Sequence, residues 1–250
     1  MRFNMQRYFI EEPFSEIGEA RLQDEDYKHI VQVMRMKVDD QIIVVAAGEA
    51  FISAIKEISG DTVYVRKKGD SLPSVEMPIQ VTIANGLAKG DKHDLIVQKA
   101  TELGVSEVIL FKAERSIVKW DDKKGFKKIE RLQKIAHQAA EQCHRTIIPT
   151  IENPLTVKQL IEVSGRFDVC LFADEEAAKL ENRPRLVDRV KELKPGNKVL
   201  VVFGPEGGLS RNEAESLQAA NFLPIALGPR ILRTETAPLY FLSAVSYAFE

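Results

Sequence analysis

Val199-Leu200-Val201-Val202-Phe203-Gly204-Pro205-Glu206-Gly207-Gly208 decides how this chain folds. The run before Gly204 is wholly apolar and rich in valine, the pattern of a strand covered on both faces. The turn after it leads to Ser210, with Glu213 three residues on, a capping box that opens a helix. A second unit of the same form follows. Residues 223–227 read as a short strand, Leu227-Gly228-Pro229-Arg230-Ile231-Leu232-Arg233-Thr234-Glu235-Thr236-Ala237 as a loop, and 238–249 as the last helix. Loops that leave the ends of strands in open α/β sheets are where ligands bind. Two such loops, close in sequence, are expected to form two walls of one pocket.

Outward from there, the alternation of strand and helix continues back to Pro78. Strands are expected at 79–85, 107–111, 168–173 and 198–203, and helices at 92–103, 126–143 and 183–193. Gly104 supplies a helix stop. This predicts an α/β domain over 73–250, with a largely parallel sheet and helices on both faces. Residues 1–72 read differently. Alternation gives strands at 42–45, 50–58 and 62–65, turns at Gly48 and Gly60-Asp61, and one helix at 24–36. A small β-barrel domain is expected there, joined through the Pro- and Ser-bearing segment 69–78.

Composition narrows the function. Of 250 residues, 44% are hydrophobic, enough for a sizeable core. No apolar run reaches the ~18 residues of a membrane span, and the N-terminal residues lack the apolar stretch of a secretion signal. The two cysteines, Cys143 and Cys170, read as buried thiols, and a reducing cytoplasm is expected. The net charge of −2 announces no nucleic-acid partner, but residues 112–134 carry nine bases against four acids. Such a stretch either holds phosphates or is a solvated face. Trp120 and Phe126 within it either stack on bases or anchor the loop. No G-x-x-x-x-G-K-[ST] loop and no G-x-G-x-x-G fingerprint is present. None of the four histidines has a partner at a metal-ligand spacing, so no metal is expected.

The two glycine loops together resemble the cofactor loops of the SPOUT methyltransferases, and within that class those of the RsmE family, the 16S ribosomal RNA uridine N3-methyltransferases. Arg7-Tyr8-Phe9, His29-Ile30 with Val33-Met34-Arg35-Met36-Lys37, Lys99-Ala100-Thr101-Glu102-Leu103-Gly104-Val105, and Glu141-Gln142-Cys143-His144-Arg145 are similar to further family motifs in the same order. Cys143-His144 replaces the family's usual small residues. The resemblance implies a C-terminal trefoil knot, a PUA- or OB-like barrel before it, S-adenosyl-L-methionine as cofactor, 16S ribosomal RNA within the small subunit as partner, and a homodimer away from membranes.

Methylation at uridine N3 requires removal of its proton and stabilisation of the resulting charge. Arg233 and Arg145 are candidates for the charge, Glu235 or a water for the proton. For the cofactor the candidates are Leu171, Phe172 and Ala173, the loop Gly204, Pro205, Glu206, Gly207 and Gly208, and Leu227, Gly228, Ile231, Leu232 and Arg233. Glu175 reads equally as a ribose ligand or a helix-start acid. RNA contacts are assigned to Arg7, Arg35, Lys37, Lys89, Lys92, Arg115 and Arg145, with Asn85-Gly86-Leu87 at the RNA entrance. Plainer roles stay open beside these: Arg233 paired with Glu206 or Glu235, and Glu141 paired with Arg145 one helical turn away. Two other functions remain open, a nucleotide-cofactor enzyme on a Rossmann-like sheet and a non-catalytic RNA-binding ribosome-assembly factor.

Overall fold

The computed structural model describes residues 5–120, 122–177 and 182–250. Residues 1–4, Asp121, and the side chains of Asp122, Lys123 and Lys124 in the basic run lie outside the described residues. The chain forms two compact units. One comprises Met1–Glu76 with Ala140–Ile147, the other Met77–Ala139 with Ile148–Glu250. The return of Ala140–Ile147 to the first unit is not announced by any periodicity.

In the first unit, β1 (Arg7–Ile10), β2 (Glu19–Leu22), β3 (Gln41–Ala46), β4 (Glu49–Ser59) and β5 (Thr62–Lys67) form one sheet in the order β1-β3-β4-β5-β2. Only β1 runs parallel to its neighbour. A register shift between Ile55 and Glu57 bends β4. The sheet curls around Tyr8, Leu22, Ile30, Ile42, Val44, Ile55, Val63 and Val65, the barrel-like form expected. The expected helix at 24–36 is an α-helical turn, α1 (Asp24–Tyr27), followed by π-helix over Lys28–Val33. It stops before Arg35, whose φ of +54° lies in the left-handed region. The four-residue strands β1 and β2 are too short to show alternation.

The second unit contains β6 (Gln80–Gly86), α2 (Lys92–Glu102), β7 (Glu107–Lys112), α3 (Asp122–Gln142), β8 (Thr150–Thr156), α4 (Val157–Val163), β9 (Val169–Ala173), α5 (Leu186–Glu192), β10 (Lys198–Phe203), α6 (Arg211–Ala219), β11 (Leu223–Ile225) and α7 (Thr236–Ala248). The sheet order is β11-β9-β10-β6-β7-β8, and every ladder is parallel. Alternate residues of β10 serve two cores. Val199, Val201 and Phe203 pack with α2, α3, α5 and α7, whereas Leu200 and Val202 pack with α4 and α6. That two-sided burial is why the strand reads as an unbroken apolar run.

Helix ends follow local chemistry. Gly104, at φ +89°, closes α2, its N–H donating to Thr101 O (3.1 Å) while Val105 N–H donates to Ala100 O (3.0 Å), a Schellman motif. Both Ser210–Glu213 on α6 and Thr156–Gln159 on α4 form reciprocal capping boxes. Sequence reasoning missed β8 because it contains Pro154. The strand tolerates it at the sheet edge, where Asn153 and Pro154 fall at a register shift opposite Leu110.

Candidate cofactor and RNA site

β6 and β10 are adjacent strands, and Asn85 pairs with Phe203 in register. Their ends bring the glycine positions together. A Cβ on Gly86 would lie 2.6 Å from Pro205 N, and one on Gly204 would lie 2.7 Å from the Gly208 carbonyl carbon and from Leu209 N. Only glycine lets the backbone fold back on itself so closely. Gly208 has φ +68° and Gly228 +84°, both left-handed.

The second loop closes onto the first. Buried Thr234 donates from Oγ1 to Gly204 O at 3.0 Å. Arg115 Nη1 donates to Gly207 O at 3.1 Å. Glu206 accepts from Lys89 N and from Lys92 Nζ, each at 3.0 Å, and Lys92 Nζ stands 3.5 Å from Glu235 Oε2. The hydrogen bond to Glu206 holds the Lys92 ammonium above its ordinary pKa. Burial pushes the Glu206 carboxyl up, but the Lys89 amide and Lys92 outweigh it and hold the group below the usual carboxylate range. Glu235 Oε2 is buried and, among the described residues, accepts no well-formed hydrogen bond.

The acids that sequence reasoning offered to Arg233 therefore belong to Lys92, which stands between the two loops. Arg233 is exposed and has no side-chain partner among the described residues. Gly204, Pro205, Glu206, Gly207, Gly208, Leu227, Gly228 and Leu232 sit on the two facing loops, and Ile231 projects with 78% of its surface exposed. Leu171 and Phe172 are buried in strand β9, so only Ala173, half-buried at the strand's end, has surface to offer. Glu175 is exposed. Asn85 is fully buried, its Nδ2 donating to Gly86 O at 3.2 Å, which removes it from any RNA entrance. Lys89 and Arg115 are exposed beside the loops.

Arg145 and Arg7 belong to the first unit and are buried there. Arg145 pairs with Glu76 (Nε to Oε2, 3.0 Å), and Arg7 Nη1 donates to Arg145 O at 2.8 Å. Glu76 also accepts from the amides of Thr146 and Ile147. Arg145 is thus held by Glu76, sixty-nine positions away by sequence and invisible to helical spacing, as well as by its other contacts. Arg35 and Lys37 are exposed. Cys143 and Cys170 form no disulfide and are half-buried rather than fully buried. Trp120 is buried and anchors its loop, whereas Phe126 is 62% exposed.

A parallel α/β sheet whose strand ends carry two glycine loops, joined by a hydrogen bond and flanked by lysine and arginine, is the arrangement in which open α/β enzymes bind a ligand beyond the carboxyl ends of their strands. Residues 75–246 match the RNA methyltransferase domain family and residues 22–68 the RNA methyltransferase PUA domain family. The chain is 45% identical to ribosomal RNA small subunit methyltransferase E of Bacillus subtilis, covering 98% of each. It is similar to a methyltransferase of Legionella pneumophila solved with bound S-adenosylmethionine (28% identity, TM-score 0.82, 98% of each chain). It is also similar to the crystal structure of a hypothetical protein (43% identity, TM-score 0.90, 98% and 99% covered). The chain belongs to the ribosomal RNA small subunit methyltransferase E family of S-adenosylmethionine-dependent enzymes. Among the described residues no helix is long and apolar enough to cross a membrane.

Proposed function

We propose that this chain methylates N3 of one specific uridine in 16S ribosomal RNA of the small subunit, as a cytoplasmic homodimer. The observation that carries this reading is the Thr234–Gly204 hydrogen bond, which joins the two glycine loops into one cradle. In this reading the loops are those of a trefoil knot pinned by that bond. The cradle fits S-adenosylmethionine because Gly208 has open space where a Cβ would stand, so a flat ligand can approach the backbone there, and Glu206 and Lys92 set a charged edge beside it. The cofactor supplies an electrophilic methyl group on a sulfonium.

The residues of this chain do the rest. Transfer of that methyl group to N3 would replace the N3 proton, so the chain must provide for the proton's departure. Glu235, with one oxygen unused by hydrogen bonding and Lys92 at 3.5 Å, is the proton acceptor. Exposed Arg233, in the same loop, stabilises the charge that develops as the proton departs. Arg145 and Arg7, expected at the chemistry or on RNA, are reassigned to holding the first unit together, because both are buried in internal hydrogen bonds. Lys89 and Arg115 in the second unit, and Arg35 and Lys37 in the first, position phosphates. The last helix buries Pro238, Phe241, Leu242 and Val245 but leaves Tyr240 and Tyr247 exposed, an apolar remainder suited to a second copy.

Mass mapping of 16S ribosomal RNA from cells lacking the protein tests the reading. One N3-methyluridine should disappear and return with the wild-type gene. An unchanged map would exclude this substrate, and melting raised by NAD but not by S-adenosylhomocysteine would favour the nucleotide-enzyme alternative.

A further inference from the structure

Away from the glycine loops, the second unit holds two buried ring N–H donors with no hydrogen-bond acceptor among the described residues. His93, at 3% exposure, accepts from Ala88 N through Nε2 at 2.9 Å. That bond places the imidazole hydrogen on Nδ1, and Nδ1 is buried without a partner. Trp120, at 8% exposure, has its indole Nε1 in the same condition. The two rings meet edge to face, with centroids 5.8 Å apart, and both line one cleft together with Lys128 and Arg131. Lys128 Nζ lies 4.7 Å from the centre of the Trp120 ring. Burial, reinforced by Lys128, pushes the His93 pKa down to about 4, so the ring is neutral at physiological pH.

Buried polar groups left unpaired are costly, so two on residues that line one cleft point to a ligand that meets them as it binds. Both unused groups are donors. The cleft's acids, Asp94 and Asp91, are turned toward Arg131. What fits is an acceptor-only group, and Lys128, whose ammonium lies over the Trp120 ring, selects an anionic one. We propose that the His93–Trp120 cleft is a phosphate-binding subsite that takes a backbone phosphodiester of the substrate RNA, with the indole and imidazole N–H groups as donors and Lys128 as counter-charge. Lys92 ties His93's own helix to Glu206, so a phosphate held here is registered against the cofactor loops. The proposal rests on the reading of the chain as an RNA-modifying enzyme.

Trp120 is the only tryptophan in the chain, so its signal reports on the cleft alone. In the intact protein, 16S ribosomal RNA should change tryptophan emission, and a short oligoribonucleotide should shift the single indole N–H resonance. Trp120→Phe should keep S-adenosylhomocysteine affinity, weaken RNA binding roughly 3–10-fold, and raise KM for RNA with kcat little changed. Lys128→Gln should lower the slope of log Kd against log salt by about one. RNA that binds and is methylated without moving the indole signal overturns the proposal. So does a signal that responds to inorganic phosphate but not to RNA, an adventitious ion only. An indole shift with RNA but no methylation would leave the subsite standing and defeat the proposed reaction instead.

Discussion

Arg233 and Gly204 carry opposite kinds of constraint. Arg233 is exposed and without a side-chain partner among the described residues, so Arg233→Ala should leave the melting temperature unchanged. If its charge partner exists only as uridine loses its proton, turnover should fall about 100-fold with cofactor affinity within about 2-fold. Calorimetry and single-turnover rates separate the two. Gly204 is a steric case. An added methyl would meet backbone atoms of Gly208 and Leu209 at 2.7 Å, and backbone cannot swing aside. Gly204→Ala should therefore distort the loop and cost about 1–3 kcal/mol, with loss of S-adenosylhomocysteine binding. Gly208→Ala meets open space and suffers only its positive φ, a cost of about 1–2 kcal/mol. A smaller loss at Gly204 than at Gly208 in urea titrations, or undiminished S-adenosylhomocysteine binding by Gly204→Ala, would contradict the geometry.

Helix α6 shows how one element holds another. Glu213 is a capping-box residue, accepting from Ser210 N at 2.8 Å, and its other oxygen accepts from Glu114 N at 2.7 Å. A local cap has thereby become a tie to the segment after β7, the segment that carries Arg115 to the cofactor loop. Glu213→Gln leaves one buried amide facing a donor and should cost about 1–3 kcal/mol. Thr156→Ala removes the comparable cap of α4, which has no such second bond, and should cost about 1 kcal/mol. Urea midpoints of the two variants check the order. A smaller loss at Glu213 would show that the tie to Glu114 contributes nothing.

At the scale of the molecule, folding returns residues 140–147 to the first unit and places Glu141 near Asp26. Burial, then the charge of Asp26, raises the Glu141 pKa to about 7, and burial, then Glu25 and Asp24, raises that of Asp26 to about 6. A raised folded-state pKa means that the native chain keeps protons the unfolded chain has released. That contribution is full below the ordinary carboxylate pKa and is lost as pH rises through about 7. Stability should thus decline between about pH 4 and 7 and level off above, by on the order of 1–2 kcal/mol after allowance for partial exposure. Glu141→Gln should flatten the decline, as followed by urea unfolding across that range. A profile identical to wild type would remove Glu141 as its source.

What the sequence determined alone was local and periodic. The apolar run 199–203 could only be a strand covered twice, Ser210 and Glu213 announced their helix, and the two glycine loops carried the family resemblance. Strand β8 escaped because Pro154 is forbidden in a central strand and only the sheet order shows that this one lies at the edge. The site divided in the same way. Which loops form it was legible, because glycine at strand ends has a physical meaning at short range. Tertiary structure alone decided that Lys92 takes Glu206 and Glu235, that Thr234 reaches Gly204, and that Arg145 spends its guanidinium on Glu76. Charge pairing is set by distance in space, and many acids and bases along a chain satisfy the same one-dimensional rule. Only burial, which makes an unpaired charge expensive, selects among them.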